Sequence, residues 1–252
     1  MKLGIVGKGG VGKTTVSALL AQAYSERGKR VVAIDTDSNP NLGISLGMSL
    51  AEVDDVPVLP RSMIVGASGD VSSEEVLEKY GRPTPLGATL LSAIRVNEAG
   101  AGCTCGGHAT VRSLLGDVIE DQADVALVDM EAGLEHLSRA GGTLAYADVL
   151  LVVMEPSRKS VLTAGRTIAL AEELGIPRTY GVGNKARLPE DRQFFERMCE
   201  EFGVPLVGVI PYEPDVIAAD RAGGSVPEGR AQAVRREIDR IVSFLDAALV
   251  TS

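Results

Sequence analysis

Three groups of residues in this chain can do chemistry, and each lies beside a short apolar run or a glycine cluster. The first is Gly7-Lys8-Gly9-Gly10-Val11-Gly12-Lys13-Thr14, which fits the phosphate-binding pattern G-x-x-x-x-G-K-[ST]. Glycines let backbone N–H groups surround phosphate oxygens. Lys13 is expected to reach the β- and γ-phosphates of a nucleoside triphosphate, and the Thr14 hydroxyl to ligate Mg²⁺. The second group is acidic. Asp37, in Asp35-Thr36-Asp37-Ser38-Asn39-Pro40, can orient the attacking water or accept its proton; an Asx turn or a helix cap before Pro40 is the lesser alternative. Asp129 ends an apolar run and precedes Met130-Glu131-Ala132-Gly133. That suits a Walker B acid holding Mg²⁺, or a strand-end carboxylate capping the next helix. The third group is Cys103-Thr104-Cys105, flanked by Gly100, Gly102, Gly106, Gly107 and His108. In extended chain, residues i and i+2 point the same way, so two thiolates would face one side. Such a pair suits Zn²⁺, Ni²⁺ or Cu⁺ but leaves a four-coordinate site two ligands short. His108 can add one, and a twofold dimer would double the pair. A redox pair and two buried small hydrophobes are the alternatives.

These residues need a scaffold that brings strand ends together. Lys2 to Val6 reads as a buried strand before the glycine loop, and Val16, Leu19, Leu20 and Ala23 fall at helical spacing after it. Further strands are predicted at 30–35, 123–129, 149–154, 180–184 and 205–211, with helices at 160–174, 190–202 and 228–249. Strands alternating with helices predict an α/β fold, a mostly parallel doubly wound sheet flanked by helices. The glycine loop, Asp35 to Asp37 and Asp129 then converge at carboxyl ends of strands. Asn184 and Pro211-Tyr212-Glu213 close two later strands and can flank a base, although Asn there is also ordinary turn chemistry. Residues 1–252 are expected to form a single domain. Residues 50–108, rich in proline, glycine and serine, are expected to be an irregular elaboration with one helix near Glu74 to Lys79.

Composition narrows the function classes. With 25 basic and 34 acidic residues the net charge is −9, which argues against broad electrostatic binding to nucleic acid or anionic membrane. Three cysteines make no disulfide framework. No secretory signal leads the chain, and no apolar run reaches the ~20 residues of a membrane span. A cytoplasmic location is the expectation. Cys199 falls at helical spacing with Phe195 and Phe202, which predicts core burial, and His136 beside Glu135 reads as a surface helix residue. The closing helix carries Arg230, Arg235, Arg236 and Arg240, but Glu237, Asp239 and Asp246 interleave them and its apolar stripe suits packing on the sheet.

Lys8 to Thr15, Lys-Gly-Gly-Val-Gly-Lys-Thr-Thr, is similar to the deviant Walker A motif of the SIMIBI class of P-loop NTPases, which includes MinD, ParA and the nitrogenase iron protein. With Asp129-Met130-Glu131-Ala132-Gly133-Leu134-Glu135-His136 and the Cys103–Cys105 pair, the whole chain resembles the CooC family of nickel-inserting accessory ATPases of carbon monoxide dehydrogenase. The resemblance implies an ATP-dependent homodimer. Lys8 would cross the interface to the partner's nucleotide, a cation supplied in trans. Lys13 and Asp37 would join it in catalysis. Gly9, Gly10, Val11, Gly12, Lys13, Thr14 and Thr15 would hold ATP or ADP, Thr14 and Asp129 would hold Mg²⁺, and Asn184, Pro211, Tyr212 and Glu213 would hold adenine. Cys103 and Cys105 of both subunits would build one four-sulfur site for Ni²⁺, with Zn²⁺ able to take its place, and apo carbon monoxide dehydrogenase would receive the nickel. A related ATPase maturing acetyl-CoA synthase fits the same residues. A MinD/ParA-like positioning ATPase would need a basic amphipathic membrane helix. An iron–sulfur reductase would have its cysteines widely separated.

Overall fold

The structure, a computed structural model, describes residues 1–60, 71–95, 110–115, 122–132, 144–226 and 229–250. Cys103, Cys105, His108, Gly133 and His136 lie outside the described residues. The strands are β1 (Lys2–Gly7), β2 (Val31–Asp35), β3 (Arg82–Pro83), β4 (Thr89–Ser92), β5 (Val125–Asp129), β6 (Val149–Met154), β7 (Thr179–Ala186) and β8 (Leu206–Pro211). They form one sheet in the order β3-β4-β2-β5-β1-β6-β7-β8. Every pairing is parallel except β3 with β4. The helices are α1 (Lys13–Glu26), α2 (Leu42–Ser45), α3 (Leu50–Asp54), α4 (Ser73–Tyr80), α5 (Arg158–Glu173), α6 (Pro189–Phe202), α7 (Pro214–Arg221) and α8 (Gln232–Val250).

The central strands are apolar between their charged ends because both faces are covered, and alternate residues feed two separate cores. Val125, Leu127, Leu151 and Val153 join Leu20 of α1 and Ile238 and Ile241 of α8 on one face. Ala126, Val128, Val152 and Met154 join Val161 and Ile168 of α5 and Phe195 of α6 on the other. Cys199 belongs to this second core and is 2% exposed, as its spacing predicts. Three of the four arginines of α8 and its approach are tied down within the chain. Arg230 pairs with Asp215, Arg235 with Glu26 and Arg240 with Glu237, while Ile238, Ile241, Val242 and Leu245 are buried. Among the described residues, no helix is long and apolar enough to cross a membrane.

The expectation of irregular structure over 50–108 needs correction where that stretch is described. α3 and α4 each begin with a reciprocal cap, Ser49 with Glu52 and Ser72 with Glu75. β4 is a sheet strand in its own right, paired in parallel with β2. At four residues between Pro85, Gly87 and Pro-free chain it is too short for periodicity to reveal. β3 occupies the sheet edge, where Pro83 needs no second ladder partner. The short helices α2, α3 and α7 also escaped the sequence pattern.

Candidate functional site

The site begins where β1 hands over to α1. Gly7 ends β1 with φ 148°, and a Cβ there would strike the Val153 carbonyl. Gly12, at φ 94°, takes the position before α1 and offers no side-chain cap. The first N–H groups of α1 are therefore left for an anion, at the positive end of the helix dipole. Lys13 opens α1 and is 8% exposed. Its ammonium donates to the Lys8 carbonyl at 3.4 Å. Burial lowers its pKa, opposed by the charges of Asp129, Asp37 and Glu131. Lys8, Gly9 and Gly10 are exposed on the crest of the loop.

Two carboxylates stand behind Lys13 at neighbouring strand ends. Asp35 of β2 and Asp129 of β5 are paired in register, and Asp129 also opposes Ile5 of β1. Both are buried. Asp129 accepts from Ser17 Oγ at 3.0 Å and from the Thr14 side chain. Burial pushes its pKa up to about 6, against the pull of these two hydroxyls and of Lys13. Such a carboxylate is short of positive charge. A carboxylate beside a hydroxyl is also an all-oxygen donor set of the kind Mg²⁺ takes. The residues present therefore fit that ion.

Asp35 is a clamp. One of its oxygens accepts the Asp37 N–H at 3.0 Å and the other the Leu42 N–H at 2.9 Å. Burial, then the charge of Asp129, pushes its pKa up to about 7. Asp37 accepts the Asn39 N–H at 2.9 Å, so the Asx turn is present. Its carboxylate nonetheless remains within electrostatic reach of Lys13. Thr36 fastens the loop to β5, its N–H and hydroxyl both donating to the Asp129 carbonyl at 3.1 and 2.9 Å. Ser38 donates to Glu131 at 3.0 Å.

The other end of the cleft is built differently. Asn184 is buried and donates its amide to the Val11 carbonyl at 2.8 Å. Lys185, in the left-handed region at φ 60°, donates to the Gly10 carbonyl. β7 and β8 lose regular register just there, between Gly183 and Ala186. Two consecutive residues thus clasp two consecutive carbonyls of the glycine loop. Beside them opens a cleft of about 380 Å³, partly open to solvent, whose walls include Thr15, Leu19, Asn184, Pro211, Tyr212 and Glu213. Arg187 stacks on the Tyr212 ring at 4.3 Å.

The described candidates from the glycine loop, the two strand-end acids and the later turns therefore gather at the carboxyl ends of neighbouring parallel strands, around the glycine loop. Residues 5–226 match the CobQ/CobB/MinD/ParA nucleotide binding domain family. Over 237 residues the chain is 37% identical to the carbon monoxide dehydrogenase accessory protein CooC of Rhodospirillum rubrum, covering 88% of each chain. The chain belongs to the CooC family. It is also 32% identical, across 97% of both chains, to an uncharacterized ATP-binding protein of Methanocaldococcus jannaschii. Its fold matches the septum site-determining protein MinD of Pyrococcus horikoshii, solved with Mg-ADP, at a TM-score of 0.73 and 22% identity, over 97% of this chain and 95% of that one. As a CooC-family member carrying this loop, the chain is a P-loop ATPase of the SIMIBI class, hydrolysing the terminal anhydride of ATP.

Sequence reasoning passed over Ser17, Asp35 and Glu131. Ser17 had a signal, since it lies one helical turn beyond Lys13 and three residues beyond Thr14. Asp35 was read only as a strand end. Lys185 reads with Asn184 as the close of a strand that can flank a base, but its reach to Gly10 crosses most of the chain and leaves no local signal.

Proposed function

We propose that this chain is a nucleotide-gated, dimeric metallochaperone that carries nickel through Cys103 and Cys105 and delivers it during maturation of carbon monoxide dehydrogenase. The observation that carries the reading is 37% identity to a carbon monoxide dehydrogenase accessory protein over most of both chains, in a sequence holding a Cys-x-Cys pair among glycines. Two thiolates from each of two subunits complete a tetrahedral set for a soft or borderline metal.

In this reading the loop amides of Gly9 to Thr15 and the start of α1 cradle the phosphates of ATP or ADP. Lys13 leaves the Lys8 carbonyl for the β- and γ-phosphates. Thr14 and Asp129 would hold Mg²⁺, which would neutralise charge on the phosphate oxygens. Asp37 orients the attacking water and takes its proton. Lys8, exposed on the loop crest, reaches the partner's phosphates and lends a positive charge there. Asn184 and the 211–213 turn hold adenine. Loss of the γ-phosphate releases the loops after β2 and β5, and the shared metal site changes with them.

Metal titration of wild type against the Cys103→Ser/Cys105→Ser variant, with ATPase assayed on both, tests this reading. Wild type should take up about one Ni²⁺ or Zn²⁺ per dimer, from four-thiolate ligation. The variant should lose tight metal binding and keep nucleotide binding, and stoichiometric metal on the variant would overturn the cysteine assignment. If metal and ATP each favour the dimer, each should raise the other's affinity. Equal metal affinity with and without a nonhydrolysable ATP analogue would sink that coupling.

A further inference from the structure

The loop from Asp37 to Asn41 is held at both of its ends by one buried side chain. The oxygens of Asp35 take the N–H groups of Asp37 and Leu42, so the loop cannot lengthen or slide at either foot. Its crown is held by a different residue from a different element. The Ser38 hydroxyl donates to Glu131 Oε1 at 3.0 Å, across 93 positions of sequence. Glu131 lies two residues beyond Asp129, in the segment that leaves β5, and its charge also acts on Lys13. The two segments that border the terminal phosphate position, one after β2 and one after β5, are thus joined side chain to side chain at half-buried residues. Both are half-buried polar residues outside the two apolar cores.

We propose that Glu131, through its hydrogen bond with Ser38, is a positioning residue that locks these two segments into one moving unit and so sets where Asp37 stands. Neither partner takes part in the chemistry. A Ser–carboxylate bond is charge-assisted and directional. With both feet of the loop fixed by Asp35, a single bond at the crown is enough to define the path between them. A signal from the terminal phosphate that reaches either segment then moves both. This inference rests on the reading that Asp37 works on the attacking water.

The substitutions Ser38→Ala, Ser38→Thr, Glu131→Ala and Glu131→Gln, and the Ser38→Ala/Glu131→Ala pair, separate the possibilities in steady-state ATPase assays of the full chain. Ser38→Ala and Glu131→Ala should each lower kcat about tenfold, the order expected from loss of one charge-assisted bond, with the KM for ATP within about twofold. The pair should be no worse than either single change, because one interaction is removed once. Ser38→Thr keeps the hydroxyl and Glu131→Gln keeps the acceptor oxygen, so both should retain most of kcat. Additive losses in the pair would overturn the proposal. So would a Glu131→Gln variant as impaired as Glu131→Ala and far worse than Ser38→Ala, since Glu131 would then act by its own charge. Melting temperatures close to wild type keep a kcat loss from being read as unfolding. Asp37→Asn separates the two layers of argument. If it keeps full kcat, the role given to Asp37 fails, while a non-additive Ser38/Glu131 cycle still supports the joined loops. If it abolishes turnover and the cycle is additive, the bridge alone is wrong.

Discussion

In the proposed nucleotide site, the phosphate end and the base end hold their shape by opposite means. At the phosphate end, buried and half-buried ionisable groups hold one another: Lys13 faces Asp129, Asp37 and Glu131, and Asp35 and Asp129 are neighbours across two strands. At the base end almost nothing is charged and buried. An amide and an ammonium grip backbone carbonyls, and apolar walls with one stacked arginine complete the cleft. The first arrangement resists solvent and responds to charge. The second fixes position and is indifferent to the charge state of the nucleotide. Changes at the first should therefore alter turnover and pH behaviour, and changes at the second should alter mainly affinity.

The strongest test of that division is Lys13→Gln. It strips the only buried cation named among these carboxylates and should lower kcat/KM by roughly 10³, at the upper end for loss of one charged transition-state contact. A loss below about tenfold would break the comparison at its most charged point.

Next is pH. Asp35 and Asp129 titrate at about 7 and about 6 in the fold, above the ~4 of an unfolded carboxylate. Between these values the folded chain keeps protons that the unfolded chain has given up. The stabilisation is complete below about pH 4 and is lost as pH rises through 6 to 7. The melting temperature of the protein without metal or nucleotide should accordingly fall from pH 5.5 to 8. Asp35→Asn, neutral throughout, should flatten the upper part of that fall; an unchanged slope would remove Asp35 as its source.

Asn184→Ala probes the base end. It leaves the buried Val11 carbonyl without its partner and should cost about 1–2 kcal/mol of stability. It should raise the KM for ATP by about tenfold with kcat nearly intact. A drop in kcat equal to the rise in KM would mean that the two ends are not separable. Arg187→Ala, which removes only an exposed stack on Tyr212, should change the KM for ATP by less than about fivefold, in keeping with ~0.5–1 kcal/mol for an exposed cation–π contact.

Much of this site could be read in the chain. The glycine loop, Lys13, Asp129 and the strand ends at Asn184 and Pro211 are local signals, each written within a few residues by a spacing that one kind of backbone satisfies. The long buried strands were legible for the same reason, since β6 is apolar at every position from Val149 to Met154. What stayed hidden was relational. Asp35 looks like any acid at the end of a strand until its two oxygens are seen to close the loop from Asp37 to Leu42. Ser38 and Glu131 are ordinary polar residues until parallel pairing of β2 and β5 brings them together. β4 was missed because a four-residue strand has too little length for alternation to register.

The clasp that Asn184 and Lys185 place on the Val11 and Gly10 carbonyls has a thermodynamic consequence. A glycine-rich loop left to itself would have to surrender its freedom each time a nucleotide arrived, at roughly 1–2 kcal/mol for every residue fixed. Here that freedom is already spent when the chain folds. Loop ordering should therefore add little to the heat-capacity change of nucleotide binding. Association should run near the encounter rate, leaving dissociation as the quantity that distinguishes ATP from ADP.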